Sequence, residues 1–214
     1  MDKLLLDILP EHNGWKRYVN SLPITQHNDP FSLHDAVACD RCRDKRVHCG
    51  NEEVARFSVR KGNAVYSIAI EEYLMAYAQH YRRVQGCKCD YLHYDGCKGC
   101  FALNELTCSA EKYVNPYKNS KGSQDGKRIH AEKQMANVID LLLEIPDIVF
   151  FVQEFKEKRA IFSWRIPNRN SNVADKAMNV FMQPQRLVAN ITTLKPLNNG
   201  FQFTQQIYPS EFCF

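Results

Sequence analysis

Eight cysteines crowd between Cys39 and Cys108, and nothing else in the sequence restricts the fold as tightly. Two pairs stand two residues apart, in Cys39-Asp40-Arg41-Cys42 and Cys97-Lys98-Gly99-Cys100. Thiolates at that spacing grip one tetrahedral zinc within a tight turn. The N-terminus, Met1-Asp2-Lys3-Leu4-Leu5-Leu6-Asp7, is apolar only briefly and carries acids on both sides, so it does not read as a secretory leader. The expected setting is intracellular, nucleus or cytoplasm, where thiols stay reduced. Reduced cysteines in such clusters are metal ligands more often than disulfide partners. The expected ligands are Cys39, Cys42, Cys49, Cys87, Cys89, Cys97, Cys100 and Cys108, with His48 and His93 as further nitrogen donors. Two zinc ions are the simplest count for so many donors. The ninth cysteine, Cys213, reads as a packed or inert thiol.

The 214 residues include 44% hydrophobic side chains, enough for one substantial core or two small ones. No apolar run reaches the length of a membrane-spanning helix, and no membrane partner is expected. The net charge of +4 permits contact with nucleic acid without demanding it. Arg41, Arg43, Lys45 and Arg46 fall inside the first cysteine cluster, and Lys118, Lys121, Lys127 and Arg128 bracket a polar stretch. Both groups are also compatible with a simple solvated face.

Hydrophobic spacing predicts a helix over 64–83, where Tyr66, Ile70, Leu74, Tyr77 and Tyr81 form one stripe suited to core packing. A second helix is predicted over 129–145, stopped by Pro146. Strands are predicted over 54–60, 148–155, 160–166, 187–194 and 201–208, with Asn198-Asn199-Gly200 as a hairpin turn. Ser171 or Asn172 offers a cap for a helix running to Met182. The fold class is α+β: a zinc-stabilised N-terminal region with helices, and a C-terminal antiparallel sheet with helices. The regions are 1–38 as a helix and loop, 39–113 as the cysteine-rich part with an embedded helix, and 126–214 as the α+β part.

The segment from Cys39 to Cys49 resembles the first half of the fungal binuclear zinc cluster, in which six cysteines hold two zinc ions and a basic helix enters the DNA major groove. The resemblance implies nucleic acid as partner, with Lys45 and Arg46 contacting bases and phosphates and Arg41 and Arg43 the backbone. It covers about twelve residues closely. The second half, Cys97, Cys100 and Cys108, is displaced by a long intervening segment, and Cys87 and Cys89 are extra. A separate segment, His130-Ala131-Glu132, is similar to the signature of the zinc-dependent deaminase superfamily. There the histidine binds zinc and the glutamate shuttles protons to the base being deaminated. The family's downstream cysteine pair is missing, since no cysteine lies between His130 and Cys213. Glu132 also fits an ordinary helix start, complementing the positive end of the dipole. Three functions therefore stand open: a zinc-binding nucleic-acid module, a deaminase-like enzyme using His130 and Glu132, and a structural zinc protein mediating protein contacts.

Overall fold

The computed structural model describes residues 1–38, 48–109, 113–120, 122–165 and 191–214. A helical turn, Leu4–Ile8, continues into α1 (Leu9–His12) and buries Leu5 and Leu9. Strands β1 (Ile24–His27), β2 (Phe31–Ala38), β3 (His48–Ser58) and β4 (Val65–Ala69) follow, then α2 (Glu71–Ala78). Next come β5 (Tyr91–Asp95), β6 (Cys100–Cys108) and the small hairpin β7 (Tyr117–Asn119) with β8 (Gly122–Gln124). Helices α3 (Lys127–Leu143) and α4 (Pro146–Gln153) lead to β9 (Glu157–Arg165). The chain closes with β10 (Ile191–Pro196), β11 (Gln202–Ile207) and β12 (Glu211–Cys213).

Seven strands form one mixed sheet in the order β1-β4-β5-β6-β9-β11-β10. The expectation of an antiparallel sheet confined to the C-terminal half is corrected in two ways. Residues before 109 supply four of its strands, and β6, β9 and β11 run parallel. A parallel pair needs a crossover, and α3 with α4 provides it between β6 and β9. The other pairs are antiparallel.

Both faces of this sheet are covered. Phe101 and Leu103 of β6 face the helices, in a core with Tyr73, Leu74, Met135, Val138, Ile148 and Phe162. Ala102 and Leu106 face the second sheet, β12-β3-β2, with Val54, Phe57, Phe212 and Phe214. A strand covered on both sides is largely apolar rather than alternating, and β6 is buried along nearly its whole length.

Three further expectations change for local reasons. Residues 148–155 are not a strand but mostly α4. Pro146 presets the first helical turn, and Ile148 and Val152 bury at a spacing of four while Phe150 is 69% exposed. Residues 64–69, assigned to a helix, contain β4, where Tyr66 stacks across the strand pair on Tyr94 at 5.1 Å. The helix that follows runs only over Glu71–Ala78, though it keeps Leu74 and Tyr77 buried as the stripe requires. The helix near 129–145 stands, with Ala131, Met135, Val138, Ile139 and Leu142 inward. So does the hairpin between β10 and β11, with Asn199 and Gly200 both at positive φ. The helix expected over 171–182 lies outside the described residues.

Candidate acid and phosphate site at the carboxyl ends of the parallel strands

In sheets with parallel strands, ligands collect beyond the carboxyl ends. Here β6 and β9 end together, with Cys108 paired to Arg165. The entry to β5 and the start of α2 lie at the same end, since β5 is antiparallel to β6 and Ile70 N–H donates to Asp90 O. A cavity of about 290 Å³ opens there. Glu105 and Thr107 come from β6, Lys88 and Asp90 from the approach to β5, Glu71 from α2, Asp35 from β2, and Lys127, His130 and Gln134 from α3. An adjoining hollow shares Asp35, Glu71, Asp90 and Leu106 with it.

Strand periodicity places the acids. Phe101, Leu103, Glu105 and Thr107 share the helix-facing side of β6, so a strand buried for packing also carries a carboxylate inward. Glu105 is only 6% exposed. Its Oε1 accepts from Lys88 Nζ at 3.1 Å, whereas Oε2 is buried with no hydrogen-bond partner. Lys88 also reaches Glu71 at 3.8 Å. Asp90 accepts from the Leu106 N–H at 2.6 Å, and Asp35 from the Cys108 N–H at 2.9 Å. Burial, followed by repulsion from Glu105, pushes the Asp90 pKa up to about 7. Burial also raises Glu105, with Lys88 working against it. Burial opposes the Lys88 ammonium, but Glu105, Asp90 and Glu71 outweigh it and raise its pKa. The three carboxylates together hold more negative charge than Lys88 neutralises.

The opposite wall has the reverse character. Lys127 donates to Thr107 Oγ1 at 3.0 Å, and it is the first residue of α3, whose amino end carries a partial positive charge. The preceding position must be glycine. A Cβ on Gly126 would meet Val114 O at 2.2 Å and Asn115 C at 2.3 Å. That close passage presses the 114–115 backbone against the start of α3, where Arg128 N–H donates to Val114 O. Acids on one side and an ammonium with a helix amino end on the other suit a cation and an anion held side by side.

The sequence-derived candidates distribute unevenly. Cys39 and Cys42, and the basic set Arg41, Arg43, Lys45 and Arg46, lie outside the described residues, as do the side chains of His48 and Cys49. Ala38 and His48, the described residues on either side of 39–47, are register partners in the antiparallel pair of β2 and β3. The cysteines from Cys87 onward are not gathered. Cys87 and Cys89 are buried on either side of Lys88, and the Cys89 thiol donates to Tyr91 O at 3.0 Å. Burial holds both thiols above the ordinary range, Cys87 at about 11. Cys97 and Cys100 stand at the other end of the sheet, around a hollow that also takes the exposed Cys213. Cys108 is half-buried at the end of β6. His93 is fully buried, bonded through Nδ1 to Ser67 at 2.8 Å, and burial lowers it to about 3. Among the described residues no three His, Cys, Asp or Glu side chains already stand in metal-holding geometry. His130 lines the acidic cavity, but Glu132 turns away to pair with Lys195 at 2.6 Å.

Sequence reasoning did not single out Asp35, Glu71, Lys88, Asp90, Glu105 or Thr107. One signal was present: Glu105 is the one acid in the largely apolar stretch Cys100–Cys108, and an acid inside a buried strand needs an explanation. No protein-family model matches the chain, and no curated protein or solved structure shows significant similarity to it.

Proposed function

We propose that this protein is a hydrolase of nucleic-acid phosphodiesters, with a divalent cation bound by Glu71, Asp90 and Glu105 in place of the Lys88 ammonium. The observation that carries the reading is the half-satisfied Glu105, 6% exposed with Oε2 unpartnered, sharing one cavity with Lys127 and the amino end of α3. The Lys88 side chain is 43% exposed, so its ammonium has a path to solvent if a dication were to take its place. Glu71, Asp90 and Glu105 would hold the cation, which would supply Lewis-acid activation of a phosphoryl oxygen and of an attacking water. Lys127 and the α3 dipole attract the phosphate and stabilise the charge that grows on it.

Nucleic acid is the proposed substrate class because the basic residues Arg41, Arg43, Lys45 and Arg46 follow β2 directly in the sequence. Asp35 lines the cavity, and Ala38, where that segment begins, is three residues further along the same strand, roughly 10 Å away. Arg41, Arg43, Lys45 and Arg46 then supply phosphate contacts. Zinc enters this reading as one ion on Cys39, Cys42 and Cys49, whose spacing suits it. Elemental analysis should find one zinc per chain, lost in Cys42→Ser.

The test is cleavage of plasmid and oligonucleotide substrates with Mg²⁺ or Mn²⁺. Wild type should cut, and Lys127→Ala should cut far more slowly. Lys45→Ala with Arg46→Ala should weaken binding and flatten its salt dependence by about one to two units of slope. Absence of cleavage with either cation would sink the proposal. Base deamination without strand cleavage would instead favour the deaminase-like alternative, which has His130 on the cavity wall in its support.

A further inference from the structure

The outer flank of α2 carries rings and cations that the cavity does not use. Trp15 stacks on Tyr81, centroids 4.7 Å apart and planes 14° apart. Tyr18 stacks on His80 at 4.0 Å and 6°. Tyr77 lies beneath, meeting Tyr18 edge-on at 5.7 Å and Trp15 at 5.6 Å. Core packing accounts for Tyr77, which is fully buried, and for the inner sides of Trp15 and Tyr81, but not for Tyr18 and His80. Tyr18 is 37% exposed and lies flat on His80, itself exposed. Trp15 and Tyr81 are half-buried.

The surround is basic. Lys16 Nζ stands 5.9 Å from the Tyr18 centroid, and its backbone N–H donates to the Tyr81 hydroxyl at 2.8 Å. Arg82 is exposed beside Tyr81. Arg17 and Arg83 lie on the same flank, each paired with one acid, Asp7 and Glu144. Parallel flat rings ringed by cations match unpaired bases on a phosphate backbone, because every base offers a π-face and every linkage a negative charge. A duplex hides those faces.

We propose that the Trp15, Tyr18, His80 and Tyr81 stack is a platform for the unpaired bases of single-stranded nucleic acid. The inference deepens the nucleic-acid reading above and rests on it for the choice of ligand. Its place in the fold supports this. The platform adjoins the carboxyl end of α2, and Glu71, at the amino end of that eight-residue helix, lines the acidic cavity. The separation along the helix is roughly 12 Å, so a strand stacked here continues into the cavity within a few nucleotides.

The experiment is titration of the whole protein with oligothymidylate, followed by tryptophan fluorescence and by anisotropy of a labelled strand. The sequence has two tryptophans, and Trp164 is only 6% exposed, so quenching reports Trp15. The expected result is quenching that Trp15→Phe abolishes. Tyr18→Ala should weaken single-strand binding roughly tenfold with an unchanged salt slope, Tyr18→Phe should restore it, and duplex binding should not respond. Absence of quenching, or equal single-strand affinity in Tyr18→Ala, overturns the platform. Glu105→Gln separates the two readings. If it still quenches fully while the wild type cuts no nucleic acid, the platform stands and the hydrolase falls. If the wild type cuts but Tyr18→Ala binds normally, the platform falls alone.

Discussion

At the amino end of β6 a buried carboxylate is fully engaged, and at the carboxyl end two are not. Asp95, 2% exposed, accepts the Gly99 and Cys100 N–H groups on its two oxygens, each at 2.8 Å. The fit is close enough that a Cβ on Gly99 would lie 2.7 Å from Asp95 Oδ2. Fixed amides aimed at both oxygens replace the water the acid lost. Glu105 has one partner, a flexible ammonium, and Asp90 receives one amide while facing the charge of Glu105. The paired strands β5 and β6 thus have a structural acid at one end and surplus acids at the other. A buried carboxylate whose bonds are complete closes a turn, whereas one whose bonds are incomplete is available to a ligand.

The largest effect that would sharpen this contrast is on chemistry. Glu105→Gln should lower cleavage by about a hundredfold or more, on the scale of losing a charged transition-state contact, with the melting temperature unchanged or higher because a repulsion is gone. A fall in melting temperature with cleavage retained would make Glu105 a structural acid like Asp95 and break the comparison. Asp95→Ala should do the reverse. Two amide donors lose their partner, so unfolding by urea should show a loss of roughly 2–4 kcal/mol, while the rate per folded molecule holds.

Smaller and pH-dependent is Asp90→Asn in the presence of a chelator. The folded pKa of Asp90, about 7, lies above its unfolded value, so the stability this group contributes is fully present below about pH 4 and lost as pH rises through 7. Asparagine does not ionise. The variant should therefore gain on wild type between pH 4 and pH 8, by roughly 1–3 kcal/mol, and parallel stability curves would contradict the assignment. Glu132→Gln should do least. Its ion pair with Lys195, which is 51% exposed, contributes within about 1 kcal/mol, and cleavage should be unaffected.

The cavity was only partly legible beforehand. His130 stands out in the sequence through a short motif and Lys127 through local charge. Their neighbours in the cavity come from β2, α2, the approach to β5, and β6, and no local spacing joins these. The Cys87-Lys88-Cys89 segment is instructive. Its cysteines drew attention as ligands, yet the structure buries both thiols and leaves the lysine between them to meet Glu71 and Glu105. Residue type suggested metal; side-chain direction placed a cation there instead.

What the sequence determined by itself is whatever depends on near neighbours. The α3 stripe repeats within one helix, Asn199-Gly200 supplies positive φ for a tight turn, and Pro146 marks a boundary whose two sides were assigned correctly on one side only. The tertiary structure decided what depends on partners distant in the chain: that β6 lies between β5 and β9 with a parallel neighbour, and that Glu105 meets Lys88 and Asp90. The reason is that an apolar run such as Cys100–Cys108 is compatible with helix or strand until both its faces find cover. Only that cover fixes which way Glu105 points.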